Sequence, residues 1–594
     1  MTTTVKSHRR RVAVAIVAVL AIVIVFVVRL VDVQVVRADS LDRQAAERRG
    51  NVSTIEGTRG SIVAADGTVL ARTVLRYDFI ATPKFTTKPS NITIDGKSKK
   101  VSLDQAAVEI AKITRQKPTD ITGPIQAALA QNKDSMYAPI VQGVDVATYQ
   151  KLKALQIPWL DSTSHQVRVY PNGAVAGNIL GFLNGDGVAQ AGLETGENKC
   201  LAGNNGEETY QVGADGVTIP GSTKVQKPAK DGGEVVTSID PDLQWFAQDE
   251  LAKVVPQLGA QFGMVSVVSV KDGKIRVAAQ YPSADPNNLD ATPTQYWKAM
   301  MFQDQYEPGS IFKPLTAAAL IDSGKASPTS QLLVPDSLSP QKGVFVADNE
   351  THPVQHLTLT GVLTESSNVG MSELGTSMDD QARYDFMKKF GIGSKTAVDF
   401  PGELSGDFTN PSKWDEQTRY ATTFGQGLSI TQAQMLSAYQ AIANGGVKVP
   451  LSIVDGCKQA DGTMTDVPSK KGTRVVSTQT SQEILGMLEN VLKGGPISTL
   501  PNTQIPGYLV AAKTGTAQEP DGNGGYMKSY YVSVMGVAPV DDPQYLVSVN
   551  IGFPTTITSS LAAGPLFKTM MSQVLKAFRV QPSTAPPANY PDTY

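Results

Sequence analysis

Ser310 and Lys313 form a Ser-x-x-Lys pattern in the stretch YEPGSIFKPLTAAALI, directly before an apolar run. A serine hydroxyl is a weak nucleophile until a neighbouring base removes its proton, and a lysine amine is such a base only where burial or another cation lowers its pKa. Residues three apart share one face of a helix, so the pattern predicts a helix that places the Lys313 amine beside the Ser310 hydroxyl. The amides of its first turn would point toward a reacting carbonyl. This is the chemistry of acyl transfer through a covalent serine intermediate.

A second pattern, Ser-x-Asn, lies in LTESSNVGMSELG, where it runs from Ser366 to Asn368. A hydroxyl and an amide two residues apart on a turn can pass a proton to a leaving amine and hold a substrate carbonyl. The same spacing recurs from Ser548 to Asn550, but there the alternating residues predict a β-strand. We therefore take Ser366 and Asn368 as the candidates.

A third pattern is KTGT, from Lys513 to Thr516, on the predicted strand YLVAAKTGTAQ. Gly515 has no side chain, so an extended substrate can approach the backbone there. The amide of Thr516 could complete an oxyanion hole with the amide of Ser310, and Lys513 supplies positive charge for a carboxylate. The pattern therefore predicts where a substrate strand binds.

Each pattern alone is weak evidence, because short motifs also occur by chance. Ser339 and Lys342 form a second Ser-x-x-Lys pattern, but they lie in a polar segment that contains Pro340 and is followed by no predicted helix. We interpret that segment as solvated surface. The three patterns gain weight from their order along the chain and from the local context of each one, and together they predict one acyl-transfer site.

The composition argues against several other kinds of site. The chain has 594 residues and a formal net charge of -2, so it lacks the basic excess that nucleic-acid binding requires. Cys200 and Cys457 are the only cysteines and lie far apart, so two buried thiols are the favoured interpretation and a disulfide is the alternative. His352 and His356 are separated by Pro353, which disfavours a helical pair of metal ligands. We expect no metal and no organic cofactor.

An unbroken apolar run from Val12 to Val28 follows a basic cluster that ends at Arg11. As a helix the run spans about 25 Å, close to the thickness of a membrane's hydrocarbon core, and Arg29 can extend it by reaching the interface. The basic cluster predicts a cytoplasmic N-terminus and an extracytoplasmic remainder. A cleaved signal peptide is the alternative, because it has the same basic start and apolar centre.

Turn signals and periodicity predict an α+β chain after this helix. Asp66-Gly67 and Asp272-Gly273 each separate two apolar stretches, as in a β-hairpin. Helical patterns dominate from about 310 to 445. Strands then return in SYYVSVMGVAP and QYLVSVNIGFP before a last helix, LFKTMMSQVLKAF.

We divide the chain into a cytoplasmic tail (1–11), a transmembrane helix (12–31), a β-rich domain (32–233), a second α+β domain (234–580) and a disordered tail (581–594). The boundary at 233 follows a segment rich in glycine, asparagine, lysine and proline. The tail, QPSTAPPANYPDTY, has too few apolar residues to form a core of its own.

The ordered set of SxxK, SxN and KTG resembles the signature of penicillin-binding proteins and serine β-lactamases. Further stretches are similar to class B penicillin-binding proteins: RGSIVAADGTVLA, RVYPNGAVAGNILGF, GLETGEN, ADPNN, FGIGSKTAVDFPGE and FGQGLSITQAQMLSAYQAIANGG. The FGQGLSIT stretch and the PGE loop most resemble the cell-division transpeptidases (FtsI type) of high-GC Gram-positive actinobacteria. The resemblance implies one membrane helix, a β-rich pedestal of the dimerisation type, and a transpeptidase domain with an antiparallel sheet and a helical subdomain.

The resemblance also implies a mechanism. Ser310 would attack the penultimate D-alanine carbonyl of a peptidoglycan stem peptide, with Lys313 as the base and the amides of Ser310 and Thr516 as the oxyanion hole. Ser366 and Lys513 would relay the proton to the departing amine. The amine of a second stem peptide would then attack the acyl-enzyme, which gives a cross-link.

The same resemblance assigns substrate binding to the KTGT strand. Lys513, Thr514 and Thr516 would hold the terminal carboxylate, and Gly515 would give the peptide access to the backbone. Asn368 would hold a substrate carbonyl. β-Lactam antibiotics would acylate Ser310 in place of the peptide.

The class implies further partners, namely the membrane, a membrane-embedded glycan polymerase of the FtsW/RodA type and other division proteins. Septal cell-wall synthesis is the expected role, and elongation is the alternative within the class. A D,D-carboxypeptidase or β-lactamase shares the acylation step, but the Glu-x-x-Leu-Asn stretch of class A lactamases is absent between Ser366 and Lys513. A β-lactam sensor or scaffold is a further alternative, against which the three intact motifs argue.

Overall fold

The computed structural model describes residues 4–38, 50–213, 218–493, 499–500, 503–520 and 525–594. The chain forms two compact units. The first comprises Met1–Thr58 with Ala202–Gly232, and the second comprises Arg59–Leu201 with Gly233–Tyr594. Every candidate site residue lies in the second unit.

Up to residue 233 the described helices are α1 (Thr4–Val31), α2 (Leu103–Thr114), α3 (Pro118–Gln131), α4 (Val146–Ala154), α5 (Gly177–Leu180), α6 (Gly192–Gly196) and α7 (Asn198–Leu201). The described strands of this part are β1 (Gly50–Ile55), β2 (Ile62–Val63), β3 (Val69–Ala81), β4 (Ser90–Ile94), β5 (Lys97–Val101), β6 (Ala138–Val144), β7 (Leu160–Val169), β8 (Gly206–Gln211) and β9 (Lys224–Lys227).

From residue 234 the described helices are α8 (Pro241–Gln257), α9 (Met300–Gln303), α10 (Lys313–Asp322), α11 (Leu359–Glu365), α12 (Asn368–Gly375), α13 (Asp380–Phe390), α14 (Glu416–Ala421), α15 (Gln432–Ala443), α16 (Thr478–Leu488), α17 (Asn490–Lys493) and α18 (Gly564–Ala577). The described strands are β10 (Glu234–Thr237), β11 (Phe262–Ser269), β12 (Ile275–Tyr281), β13 (Gln331–Val334), β14 (Ser337–Leu338), β15 (Val346–Ala347), β16 (Gln355–Thr358), β17 (Val447–Lys448), β18 (Val454–Lys458), β19 (Met464–Thr465), β20 (Thr473–Arg474), β21 (Ala511–Pro520), β22 (Tyr526–Ala538) and β23 (Tyr545–Gly552).

The first unit contains the long apolar helix α1, which continues into a π-helical turn at Asp32–Val36. Within the described ranges, Arg10–Val36 is the one helical stretch that is long and apolar enough to cross a membrane, and none of its most apolar part is buried in the protein. The unit also contains a three-stranded sheet in the order β1-β8-β9.

Residues 59–201 are the part of the predicted pedestal domain that belongs to the second unit. The predicted hairpin at Asp66-Gly67 is confirmed, because β2 pairs with β3 across this turn. The long strand β3 also pairs with β6 and β7, and helices α2 to α4 bury an apolar core around Phe79, Ile110 and Trp159.

A buried carboxylate holds the stretches RVYPNG and GLETGEN together. The side chain of Glu194 is fully buried and accepts hydrogen bonds from Nε of Arg59 and from Nε of Arg168, each at 2.7 Å. The hydroxyl of Tyr170 donates to the same carboxylate at 3.2 Å. A buried charge is tolerated only where it is paired in this way, so the cluster fixes the paths of three chain segments.

The second predicted domain is built on a five-stranded antiparallel sheet in the order β12-β11-β23-β22-β21. The predicted hairpin at Asp272-Gly273 is confirmed, since it joins β11 to β12. Strand β11 is buried from Phe262 to Val268 because both faces of the sheet are covered. Val265 and Val267 pack in a core with Leu251 of α8 and Phe567 of α18, whereas Met264 packs with the helical subdomain on the other face.

The strand predicted at Glu234 is present as β10, but its sheet crosses the domain boundary that we expected there. β10 pairs in parallel with β2, which precedes the boundary, and antiparallel with β18, which follows it. The division at residue 233 stays a prediction from composition.

Cys200 and Cys457 form a disulfide, contrary to the interpretation that we favoured from the sequence. Cys200 lies in α7 and Cys457 in β18, and their Cα atoms are 5.9 Å apart. Spacing in the sequence gave no sign of this pairing, because the 257 residues between the cysteines fold back to bring α7 and β18 together.

The C-terminal tail also differs from the prediction. Residues 581–594 follow a defined path over the second predicted domain, where the backbone amides of Thr584 and Ala585 donate to the carboxylate of Asp541. Composition suggested disorder because the tail is poor in apolar residues. Hydrogen bonds hold it in place together with Tyr590, which packs against the hydrophobic core.

We expect the double variant Cys200→Ser/Cys457→Ser to fold with a lower free energy of unfolding, by about 2–5 kcal/mol, because the bridge closes a long loop and restricts the unfolded chain. Urea denaturation of the purified protein measures this difference. A reductant should lower the stability of the wild type to that of the variant and leave the variant unchanged. Equal stability of the two proteins without reductant would contradict the bridge.

Candidate active site

Ser310 lies in a short 3-10 helical turn, Gly309–Phe312, which leads directly into α10. Residues three apart eclipse each other in a 3-10 helix. The Nζ atom of Lys313 accordingly donates to Oγ of Ser310 at 2.9 Å. The hydroxyl of Tyr439 on α15 holds the turn by donating to the Ile311 carbonyl at 2.7 Å. The predicted contact between serine and lysine is present.

The residue before the nucleophile candidate has to be a glycine. Gly309 has a φ of 56°, in the left-handed region that side chains disfavour. A Cβ atom there would also lie 3.0 Å from the Cβ of Ala517 on β21. The turn and the KTGT strand are therefore packed directly against each other.

Ser366 joins the two lysines of the site. It follows the last residue of α11 with φ 68° and ψ 34°, a left-handed conformation that is strained for a serine. Its Oγ atom accepts a hydrogen bond from Nζ of Lys513 at 2.8 Å and lies 3.3 Å from Nζ of Lys313. Its carbonyl oxygen accepts a further hydrogen bond from Lys313. The Ser366 hydroxyl thus links both amines.

Strand β21 brings Lys513 to the site from the edge of the five-stranded sheet. Lys513 and Gly515 lie on the same face because side chains alternate along a strand. A Cβ atom on Gly515 would lie 3.1 Å from the side chain of Ile311. As an edge strand, β21 can pair with an extended peptide on its outer side.

The two threonines of the KTGT pattern flank this glycine. The Thr514 hydroxyl accepts from Nζ of Lys513 at 3.2 Å and donates to Thr499 at 3.1 Å. The Thr516 hydroxyl accepts from the amide of Ser560 at 3.2 Å. The roles of both threonines in substrate binding, and of the Thr516 amide in an oxyanion hole, stay predictions.

Burial sets the protonation of the lysines. Both side chains are fully buried. Burial lowers the pKa of Lys313 to about 7, although the nearby Asp348 carboxylate acts in the opposite direction. Burial and the positive charge of Lys313 hold the pKa of Lys513 well below its ordinary value. A neutral Lys313 amine is therefore accessible at neutral pH, as a base for Ser310 requires.

Asp348 positions the Ser-x-Asn pattern and was missed in the sequence analysis. Its side chain is only 6% exposed. It accepts hydrogen bonds from the Ser367 hydroxyl at 2.7 Å, from the Val369 amide at 3.0 Å and from the Asn368 amide. These groups lie at the N-terminus of α12, where a negative charge is favourable. Asp348 lies 19 residues before Ser367 and belongs to no short pattern, so the sequence gives no motif by which to find it.

Asn368 does not contact the lysines in the described part of the chain. Its side-chain amide donates to the carbonyl of Ala347 at 3.0 Å. The structure thus brings together Ser310, Lys313, Ser366 and Lys513. Asn368 lies two residues after Ser366 and is not part of this set of contacts.

Glu307 is a second residue that the sequence analysis missed. It is buried, and its carboxylate accepts from the Gly427 amide at 3.0 Å and from the Tyr526 hydroxyl at 3.4 Å. Its own amide donates to the Glu519 carboxylate at 3.2 Å. Burial raises the pKa of Glu307 to about 7 and that of Glu519 to about 8. Glu307 therefore connects the nucleophile turn to the FGQGL segment and to the end of β21.

The competing patterns are not part of this site. Ser339 and Lys342 are exposed, as predicted. Ser548 and Asn550 are buried in β23, where the serine hydroxyl donates to the asparagine oxygen at 2.9 Å. Within the described ranges, no three histidine, cysteine, aspartate or glutamate side chains are grouped as metal ligands.

Residues 263–572 match the Penicillin binding protein transpeptidase domain, and residues 54–237 match the Penicillin-binding Protein dimerisation domain. The first match alone covers more than half of the chain. The chain belongs to the penicillin-binding protein family. The apolar N-terminal helix, the dimerisation domain and the transpeptidase domain give this penicillin-binding protein the class B organisation that its motifs predicted.

Named relatives agree with this assignment. The penicillin-binding protein is 32% identical to Penicillin-binding protein PbpB of Mycolicibacterium smegmatis, over 96% of this chain and 91% of that protein. It is 29% identical to Peptidoglycan D,D-transpeptidase FtsI of Escherichia coli K12, over 93% and 89% of the two chains. It also resembles the crystal structure of Penicillin binding protein 3 from Mycobacterium tuberculosis complexed with aztreonam, with a TM-score of 0.68, 27% identity and coverage of 90% and 99%.

The rate of acylation should rise with pH and level off above about 7, because only neutral Lys313 can accept the Ser310 proton. Asp348→Asn removes the charge that raises the Lys313 pKa, so the inflection should move to lower pH. Glu350→Gln, which neutralises an exposed acid on the same loop, is the matched control. Stopped-flow measurements with a fluorescent penicillin give the profile. A rate that stays constant between pH 5.5 and about 8 would rule out Lys313 as the titrating base.

Proposed function

We propose that this penicillin-binding protein cross-links peptidoglycan stem peptides through an acyl-enzyme on Ser310. One observation carries the proposal. The Ser366 hydroxyl lies between the amines of Lys513 and Lys313, and Lys313 in turn contacts the Ser310 hydroxyl at 2.9 Å. This chain of contacts gives a proton taken from the nucleophile a path to a leaving group.

Acylation begins with neutral Lys313. It accepts the proton of the Ser310 hydroxyl as Oγ forms a bond to the penultimate D-alanine carbonyl carbon. The backbone amides of Ser310 and Thr516 stabilise the oxyanion. The carbon–nitrogen bond to the terminal D-alanine then breaks, and the departing amine receives a proton from Ser366, which Lys513 and Lys313 replenish.

Substrate binding uses the edge of the sheet. The donor peptide pairs with the outer edge of β21 beside Gly515, whose missing side chain lets the strand pack closely against Ile311 and Ser533. Lys513, Thr514 and Thr516 bind its terminal carboxylate, and Asn368 binds a backbone carbonyl. β-Lactams occupy the same position and acylate Ser310.

Deacylation by an amine completes the reaction. The amine of a second stem peptide attacks the ester carbonyl and gives a proton to neutral Lys313. The bond to Ser310 Oγ breaks, and the serine takes up that proton from Lys313. A water molecule in place of the amine would give hydrolysis, which is the reaction of a D,D-carboxypeptidase.

The protein acts outside the cytoplasmic membrane. α1 spans the membrane with the basic cluster before Val12 on the cytoplasmic side. A glycan polymerase of the FtsW/RodA type in the same membrane supplies the strands to be cross-linked, and other division proteins recruit the complex. The relatives named PbpB and FtsI support a role in septal synthesis.

In membranes labelled with fluorescent penicillin, Ser310→Ala should abolish the labelled band because the attacking oxygen is removed. Ser339→Ala changes the exposed serine of the competing pattern and should label like the wild type. Gel fluorescence at equal protein amounts measures both. Covalent labelling of Ser310→Ala would show that another residue is the nucleophile.

Incubation of the wild type with a donor stem peptide and a second, amine-bearing peptide should yield a cross-linked dimer and free D-alanine. Mass spectrometry distinguishes this product from the hydrolysed donor. Hydrolysis without any dimer would favour the carboxypeptidase alternative. Ser310→Ala is the control, and it should form neither product.

Depletion of the protein in its native host should give filaments that lack completed septa, since septal cross-linking is lost. Phase-contrast microscopy with a membrane dye measures cell length and septum number. Wild-type protein expressed in trans should restore division, and Ser310→Ala should not. Rounded cells with normal septa would indicate an elongation role instead.

A further inference from the structure

Residues 589–594, which we call the C-terminal strap, lie along α11 and α17. The backbone amide of Thr358, which precedes α11, donates to the carbonyl of Asp592 at 2.9 Å. The Thr358 hydroxyl donates to the carbonyl of Pro591 at 2.6 Å. Lys493 of α17 donates to the side chain of Asn589 at 3.2 Å. The strap is therefore bonded to both helices.

Two glycines make room for this segment. Gly361 on α11 faces the carbonyl of Asp592 so closely that any side chain would collide with it. On α16, a Cβ atom at Gly486 would lie 2.9 Å from the ring of Tyr590. The helices thus present surfaces that fit the strap.

The carboxylate of Asp592 makes the most direct contact with α11. Its Oδ1 atom accepts from the Thr364 hydroxyl at 2.8 Å and from the side-chain amide of Asn490 on α17 at 2.9 Å. Thr364 is fully buried, so its hydroxyl depends on partners within the protein. Asp592 therefore connects the last turn of α11 to α17.

That last turn carries Ser366. The serine lies two residues beyond Thr364, and its left-handed backbone must be held by its surroundings. Asp348 holds the following residues of the Ser-x-Asn pattern from one side. The strap holds the preceding helix from the other side. A shift of α11 would move the Ser366 hydroxyl relative to Lys313 and Lys513.

We propose that Asp592 is a positioning residue for Ser366. Through Thr364 it fixes α11, and so it keeps the Ser366 hydroxyl between the two lysine amines. The inference rests on the proposed function in one respect, namely the part that Ser366 takes in proton transfer. Asp592 touches neither lysine, and its effect is on geometry.

The test measures acylation of the full-length, membrane-anchored protein by a fluorescent penicillin and separates the binding constant from the acylation rate constant. Asp592→Ala removes both hydrogen bonds and should slow acylation by roughly tenfold, because small displacements of a catalytic group have large effects on rate. The binding constant should stay within about twofold of the wild type, since β21 is unchanged. Asp592→Asn keeps an oxygen that can accept both bonds, and it should acylate at nearly the wild-type rate.

Asp541→Ala is the control for general loosening of the tail. Asp541 holds residues 583–585 and does not contact α11, so its variant should acylate normally. If Asp592→Ala does not fold, Thr364→Val and Thr364→Ser form an equivalent pair, in which only serine keeps the hydroxyl. A wild-type rate in Asp592→Ala, or equal slowing in Asp592→Ala and Asp592→Asn, would overturn the inference.

Ser366→Ala, measured in parallel, separates this inference from the proposed mechanism. A normal acylation rate in Ser366→Ala would contradict the proton relay itself. Slow acylation in Ser366→Ala together with a normal rate in Asp592→Ala would retain the relay and overturn only the role of Asp592.

Discussion

Two lysine amines buried around one serine hydroxyl are the constraint on which the rest of the structure depends. Burial of an unpaired ammonium group costs several kcal/mol. A second buried ammonium group beside the first would add a similar cost. It is therefore unfavourable for both lysine amines of this site to be charged. The lowered pKa values of Lys313 and Lys513 express this constraint. Because burial sets the pKa of both amines, the three segments that enclose them must not move apart.

Different interactions hold the three segments of the site, namely the nucleophile turn, the Ser-x-Asn turn and the KTGT strand. The nucleophile turn is held by Glu307, through the Gly427 amide, and by Tyr439, through the Ile311 carbonyl. The Ser-x-Asn turn is held by Asp348 at the start of α12. Among the described residues, the KTGT strand pairs with β22 alone, so it forms an edge of the sheet. The two turns are therefore held rigidly beside β21, which is an edge strand of the sheet.

The chemistry could be predicted from the sequence, and the parts that position it could not. Ser310, Lys313, Ser366 and Lys513 were found because each lies in a short pattern whose spacing has a local meaning. Asp348, Glu307 and Asp592 are single carboxylates whose partners come from distant parts of the chain, so no spacing reveals them. The same holds for the Cys200–Cys457 bridge.

The tail was judged by its lack of apolar residues, whereas backbone hydrogen bonds and two facing glycines decide its path. Hairpins and the apolar helix α1 were predictable because their signals are local.

The boundary between buried and open space runs through the Ser310–Lys313 pair itself. Lys313 is fully buried, whereas Ser310 is partly exposed, and only 2.9 Å separates their reactive atoms. In the proposed acylation, the acyl group arrives from the open side while the proton leaves toward the buried side. In the proposed reaction β21 stays unpaired on its outer edge, because a further strand there would occupy the place of the donor peptide.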